Sequence, residues 1–435
     1  MLEVVNMLKF KWETEFKQTE IGKVPRKWEV ISISDSSFAI IMGQSPPSKY
    51  YNKEGKGTLF IQGRKDFGDL YITPTTYTEK CSKTAPPNSA LLTVRAPVGD
   101  VNVTKDEVCI GRGLAVIYNV NGNPTSNRFI YYVLVGLKDY IASLGERGTT
   151  YEEIIKEDLE NLLVPHPSPT EQSRIATVLS WFDDLIENKK RQNEILEKVA
   201  MAIFKSWFVD FEPFKDEAFV YSEELGKEIS KGWEVKPIDA VAEFVKGLSY
   251  RSNELVDNLT EGEIFITLKI FKRGGGFRPE YKYYRGNRYS DEQVVYDGDL
   301  VIALTDMTSD AKVVGAPALV ILPPYKDKGI LSLDAAKLNV PQYMKEYAYL
   351  YLKDSQEENS TFANGVNVLH LNLNLFKIGK LILIPPQPIL QHFHFLVEPL
   401  FQKIILNQKQ IMVLRKIRDV LLPQLVFGKL EVVEL

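Results

Sequence analysis

The stretch KIFKRGGGFRPEYKYYRGNRY, Lys269 to Tyr289, sets Lys269, Lys272, Arg273, Arg278, Lys282, Arg285 and Arg288 against one acid, Glu280, with six aromatic residues interleaved. Cations at that density neutralise backbone phosphates, and planar guanidinium groups grip guanine edges through paired hydrogen bonds. The plainer role is a solvated loop over its own packed aromatics. The first half of the chain has a thinner counterpart, FIQGRKDFGDLYI, in which Gln62, Arg64 and Lys65 are diluted by Asp66 and Asp69, with Arg95 and Arg112 on later turns. Two polar glycine turns, GERGTT and FANGVN, offer Arg147, Thr149, Asn364 and Asn367. Amide side chains read adenine in the major groove, although building the turn itself is the commoner task of Asn-Gly. These residues are the candidates for contact with double-stranded DNA.

Motifs for chemistry on the nucleic acid fail at the residues that matter. A methyltransferase acting on a flipped base needs a hydrogen-bond acceptor before two prolines and an aromatic ring. LPPY at Leu322 to Tyr325 has leucine in the acceptor position, and SPPS at Ser45 to Ser48 lacks the ring. GGG at Gly274 to Gly276 lacks the spacing of phosphate-binding loops. Glu234-Val235-Lys236 with Asp216 weakly resembles a metal-dependent nuclease set, yet the corresponding stretch in the first half reads Glu29-Val30-Ile31, without the lysine. His166 and His370 are isolated, and His392 and His394, two apart on a helix, point to different sides. No catalytic residue and no metal site is expected.

Two cysteines, Cys81 and Cys109, are too few for a disulfide framework or a zinc cluster, so buried reduced thiols in a reducing cytoplasm are expected. The N-terminal residues meet charge early and do not read as a secretory signal. No apolar run approaches the roughly 20 residues of a membrane span. A soluble cytoplasmic protein is the expectation. The 435 residues exceed one ordinary domain, and a net charge of -4 excludes a uniformly basic wrapper of nucleic acid.

The elements that must position these residues are written twice. RKWEV at Arg26 returns as KGWEV at Lys231, and Phe60 and Phe265 keep the 205-residue offset of Trp28 and Trp233. Each half then reaches a proline-rich break, LLVPHPSP or LILIPPQP, and enters a long segment that reads as a helix. In the first, Ile175, Leu179, Phe182, Ile186, Leu196, Ala200, Ile203 and Trp207 recur at heptad spacing. In the second, 218 residues later, Phe393, Val397, Leu400, Ile404, Ile411, Leu414, Leu421 and Leu425 repeat the pattern. Lys189, Asn193, Asn407 and Arg418 interrupt the two seams, and Lys189 is expected opposite Asn407 or Asn193, where buried polar groups fix register at a cost in stability.

The expected fold is α+β: two globular strand-rich domains joined by two long antiparallel coiled-coil helices, with an internal pseudo-two-fold repeat. The segments are an extension over 1–23, a first module over 24–165, a central helix over 166–212 reading from Thr170 to Phe208, a linker over 213–228, a second module over 229–384 and a closing helical region over 385–435. Antiparallel helices would place the modules at opposite ends of a rod, whose length would set a fixed gap between two unlike half-sites.

Several stretches resemble the specificity subunit of type I restriction-modification enzymes: VPRKWEV and SKGWEV, PPSKYYN, PSPTEQSRIATVLSWFDDLIENKKRQNEIL, IFKSWFVDFEPF and LLPQLVFGKL. The resemblance covers nearly the whole chain. It implies two target-recognition domains, one for each half of a bipartite asymmetric DNA site, and two helical regions that scaffold the complex. It further implies no catalytic centre or cofactor on this chain, two modification subunits methylating adenine with S-adenosylmethionine, and restriction/translocase subunits using ATP and Mg. The second helix start, PQPILQHFHFLVEPL, departs from the family's Glu-Gln followed by a basic residue, and is where subunit docking would differ. The competing reading is a coiled-coil interaction scaffold without specific DNA binding.

Overall fold

The computed structural model describes residues 9–145, 153–257, 260–308 and 310–434. The chain divides into two compact units, Met1–Ile186 with Leu414–Leu435, and Glu187–Val413. The division falls inside two helices of 40 residues each, Pro169–Phe208 and Gln387–Val426. Both are long stretches with one apolar face, as the spacing predicts.

The two units repeat one topology. In the first, a four-stranded antiparallel sheet runs Val101–Val103, Ala90–Thr93, Leu114–Asn119, Phe38–Met42; in the second, Pro317–Leu319, Leu300–Ala303, Ala335–Asn339 and Glu243–Lys246 follow the same order. Each unit adds a five-stranded sheet containing one parallel pair, Phe60 beside Cys109 in one and Phe265 beside Ile330 in the other. Both phenylalanines are fully buried, which accounts for their shared offset.

Each module is closed by its own ends. The strand Glu29–Ser32, from the first WEV stretch, pairs with Leu163–His166, the last strand before the first long helix. Glu234–Pro237 pairs in the same way with Leu381–Ile384, the last strand before the second. The segment expected as a linker over 213–228 carries a strand, Phe219–Ser222, that forms a hairpin with Lys227–Ser230. In the N-terminal extension, Lys9–Trp12 pairs with Leu430–Glu434 near the other end of the chain.

Within each unit the helices pack antiparallel. In the second unit Asn193 Nδ2 donates to the Ile404 carbonyl, while Phe204 and Phe208 share a core with Leu390, Phe393 and Val397. In the first, Ile175, Val178 and Leu179 pack with Leu422, Leu425 and Val426. Of the seam residues, Ile175, Leu179, Ile186, Val397 and Ile411 are buried, whereas Phe182, Leu196, Ile203, Leu400, Ile404, Leu414 and Leu421 are half-buried. Fully buried Ala176, Val178 and Phe204 lie beside the seam, because a helix that covers a module as well as a partner helix needs a wider apolar stripe than two positions in seven. Asn407, with no exposed surface, donates to Asn193 Oδ1 at 3.0 Å and Gln192 Oε1 at 3.3 Å. Lys189 does not meet Asn407; its ammonium reaches Gln410, one turn further along.

The expectation of reduced thiols is overturned: Cys81 and Cys109 form a disulfide, with Cα atoms 5.7 Å apart. The cause is strand pairing. Thr84 lies opposite Cys109, so the turn before it carries Cys81 over the same strand, and a spacing of 28 residues holds no trace of that register.

The first unit also buries an ionic cluster. Asp183, 1% exposed, accepts from Tyr132 Oη at 2.6 Å and from Arg418 Nη1 at 2.7 Å. Removing one partner of a buried pair strands the other charge, at about 3–5 kcal/mol. Asp183→Ala should therefore lower unfolding free energy in urea by that order, while replacing Asp183 and Arg418 together by leucine and methionine should restore most of it. A cost below about 1 kcal/mol for the single change would show that Arg418 finds water instead.

Candidate nucleic-acid interface

Folding divides the basic strip of the second module. Lys282–Tyr284 is a strand antiparallel to Glu263–Ile266, with Lys282 opposite Phe265 and Tyr284 opposite Glu263. Lys269, Lys272, Arg273 and Arg278 therefore emerge at one end of the strand pair, and Arg285 and Arg288 at the other. The aromatics serve the fold: Phe271 and Tyr284 are buried, and Tyr281 Oη donates to the Ile321 carbonyl at 2.6 Å. Burial and the plainer role thus claim the rings, while the cations other than half-buried Lys282 stay exposed.

Several of these cations already have partners. Arg273 pairs with Asp310, and Arg278 Nε donates to the Lys269 carbonyl at 2.9 Å and lies 3.3 Å from Glu280. Arg288 donates to both carboxylate oxygens of Glu254, at 2.6 and 2.7 Å. Backbone donation from Arg251, followed by that from Arg288, holds the Glu254 carboxyl below its ordinary range. Pairs at the surface are screened by solvent, contribute little to stability and exchange readily for phosphate. Lys272 serves a different end. A Cβ on Gly276 would come within 3.6 Å of Glu197 on the first long helix, so this glycine turn lies against that helix. Burial would raise the Glu197 carboxyl, but Lys353 and Tyr349, helped by the charge of Lys272, hold it down.

In the first module Gln62 is half-buried, and its backbone N–H donates to the Asp66 carboxylate. Lys65 and Arg112 are exposed. Arg64 and Lys138 share Asp100, at 2.5 and 2.6 Å. Arg95 donates twice to Glu153 Oε1, at 2.9 and 2.7 Å. Arg147 and Thr149 lie outside the described residues. A group not evident in the sequence is Lys49 and Lys80, whose ammonium groups sit 5.1 and 4.7 Å from the ring centre of Tyr50; pairing of Tyr51 with Thr78 brings them together.

The glycine turn of the second module is a hairpin, Ala363–Asn364 with Leu369–Leu371, to which Thr305–Asp306 adds a third strand. Asn364 and Asn367 are exposed on it, and at Gly365, with φ +124°, a side chain would strike the Val368 carbonyl. Asp306, 1% exposed, fastens the loop that follows: its carboxylate accepts from the amides of Thr308, Val313 and Val314 and from the Thr308 hydroxyl. Among the described residues no three His, Cys, Asp or Glu side chains are grouped to hold a metal ion, and no helix is long and apolar enough to cross a membrane.

Comparison with known proteins places this geometry. Residues 25–198 match the family described as type I restriction modification DNA specificity domain. The chain is 38% identical, over 99% of both sequences, to the type I restriction enzyme MjaIX specificity subunit of Methanocaldococcus jannaschii. It belongs to the specificity-subunit family of type I restriction enzymes. A second relative from that organism, a putative MjaX specificity subunit, is 46% identical over 43% of this chain and 44% of its own. The S subunit of a type I restriction-modification system from M. genitalium shares the fold, with a TM-score of 0.55 and 18% identity over 92% of this chain and 96% of that one.

In this specificity subunit Asp306 gives a pH test. Burial would raise its carboxyl, yet the Thr308 hydroxyl and the amides outweigh it and hold the group below the ordinary value of about 3.9. A lowered native value contributes stability above the unfolded value and loses it as the pH falls. Hydrogen-exchange protection of the Val313 and Val314 amides should therefore be full above about pH 4 and fall below it. Asp306→Ala should lose that protection at neutral pH; unchanged protection would mean the loop is held by something else.

Proposed function

We infer that this DNA specificity subunit reads a bipartite asymmetric site, one half-site to each module, and scaffolds two modification subunits and the restriction/translocase subunits. The observation that carries the reading is the repeat: two modules of identical strand order carry different polar side chains beyond equivalent strands, Arg64 and Lys65 after Thr58–Ile61 and Lys269 and Lys272 after Glu263–Ile266. One scaffold with two sets of side chains suits two unlike half-sites. Catalysis and its cofactors, S-adenosylmethionine, ATP and Mg, then belong to the partners.

Support for docking comes from large apolar side chains exposed on the long helices. In the second unit Ile195, Val199, Leu406 and Phe395 are 51%, 42%, 49% and 77% exposed; in the first, Trp181 and Val420 are 38% and 60% exposed. Ile195 and Val199, four residues apart, share one face of their helix, and contiguous exposed apolar surface is a common mark of a protein interface.

The test is selection from a random-sequence duplex library by the purified chain, alone and with its modification subunits, followed by sequencing of the bound fraction. Two short unlike blocks at one constant spacing are expected. A folded chain that enriches no sequence with its partners present would leave only the scaffold role.

A further inference from the structure

Three residues far apart in sequence form one row across the small sheet of the second module. Thr305 lies opposite His370, and His370 opposite Asn364, on three neighbouring strands. The rows on either side of it hold Asp306 opposite Leu369 and Leu371 opposite Ala363. Directly opposed residues share a face and successive residues alternate. Asp306 and Leu371 are buried, so the Thr305–His370–Asn364 row faces outward; His370 and Asn364 are exposed and Thr305 half-buried. At the turn end of this ribbon Val366 and Met307 are 90% and 75% exposed.

The fold makes little use of these groups. Among the described residues the side chains of His370 and Asn364 make no hydrogen bond, and Thr305 Oγ1 lies 3.4 Å from Asp334. The major groove admits a two-stranded β-ribbon such as the hairpin of Ala363–Asn364 with Leu369–Leu371, and there Asn pairs with the adenine edge and apolar side chains contact the thymine methyl.

The first module builds the same place with other residues. Ile154 N donates to the Val94 carbonyl at 2.9 Å, as Leu371 N donates to the Leu304 carbonyl at 2.8 Å. The residues beside those bonds, Arg95 and Glu153, form an antiparallel bridge and so occupy the positions of Thr305 and His370. Arginine grips guanine and glutamate accepts from cytosine. Their side chains pair with each other while 43% and 45% exposed, a contact cheaply exchanged for base edges.

We propose that this outward row is the base-reading element of each module: Thr305, His370 and Asn364, flanked by Val366 and Met307, read an A·T-containing half-site, and Arg95 with Glu153 reads a G·C pair in the other. The proposal rests on the chain's role as a DNA specificity subunit, and names the residues that discriminate. They are specificity determinants, distinct from the phosphate-neutralising cations of the strip.

The experiment is the same library selection with the full chain and its modification subunits, using wild type, H370A/N364A and R95A/E153A, with thermal melts to confirm that each variant folds. Each pair of changes should relax base preference by tenfold or more at positions in one block only, the A·T-containing block for H370A/N364A and a G·C position of the other for R95A/E153A. The milder His370→Asn and Arg95→Gln should shift the preferred base rather than abolish preference. Folded variants that enrich the wild-type blocks unchanged would overturn the row while leaving the DNA-reading role intact. Wild type that enriches nothing would overturn that role, and the row with it.

Discussion

The pairing of each module's first strand with its last governs the arrangement of everything else in that module. Glu29–Ser32 against Leu163–His166, and Glu234–Pro237 against Leu381–Ile384, make the chain enter and leave each module at one place, with the long helix starting just beyond. The tryptophans of the two WEV stretches are buried behind these pairs, 4% and 6% exposed. Trp28 donates to Glu171 in the first turn of its helix at 3.3 Å, and Trp233 packs on Phe208, Phe211 and Phe214 at ring separations of 5.2–5.9 Å. Two short strands thus tie the position of a sheet to the start of a helix, which is what a reading surface needs if it is to be held rather than tethered.

Buried polar groups add the selectivity that apolar packing lacks. Leucine and isoleucine tolerate sliding by a turn, whereas Asp183 has partners only where Tyr132 and Arg418 meet it, and Asn407 only beside Asn193 and Gln192. Such groups cost desolvation and in return penalise every wrong register. Glu197, held by Lys353 and Tyr349, does the same for the second module against its helix segment. The exposed loops can then vary in side chain without disturbing the frame.

Much of this frame was legible in the sequence. The repeat showed in the offset of Trp28 and Trp233, and the helix expected from Thr170 to Phe208 begins one residue earlier. Long-range register was not legible. Cys81 meets Cys109 because Thr84 pairs with that strand, and Thr305, His370 and Asn364 form a row because three strands align; a linear pattern encodes neither. The basic strip misled in the opposite way. Contiguous in sequence, it turns around a strand, so that Lys269 and Arg288 emerge at opposite ends of it and Lys272 faces a helix. Periodicity reports which face is apolar, and says nothing of what lies opposite.

We infer that each module carries its own base reading on a shared scaffold. The most direct measurement replaces residues 24–165 by a second copy of residues 229–384 and repeats the library selection with the resulting chain and its modification subunits. Both enriched blocks are then expected to carry the sequence now read by the second module alone. A folded chimera that still enriches two unlike blocks would contradict it, because recognition would then reside outside the modules.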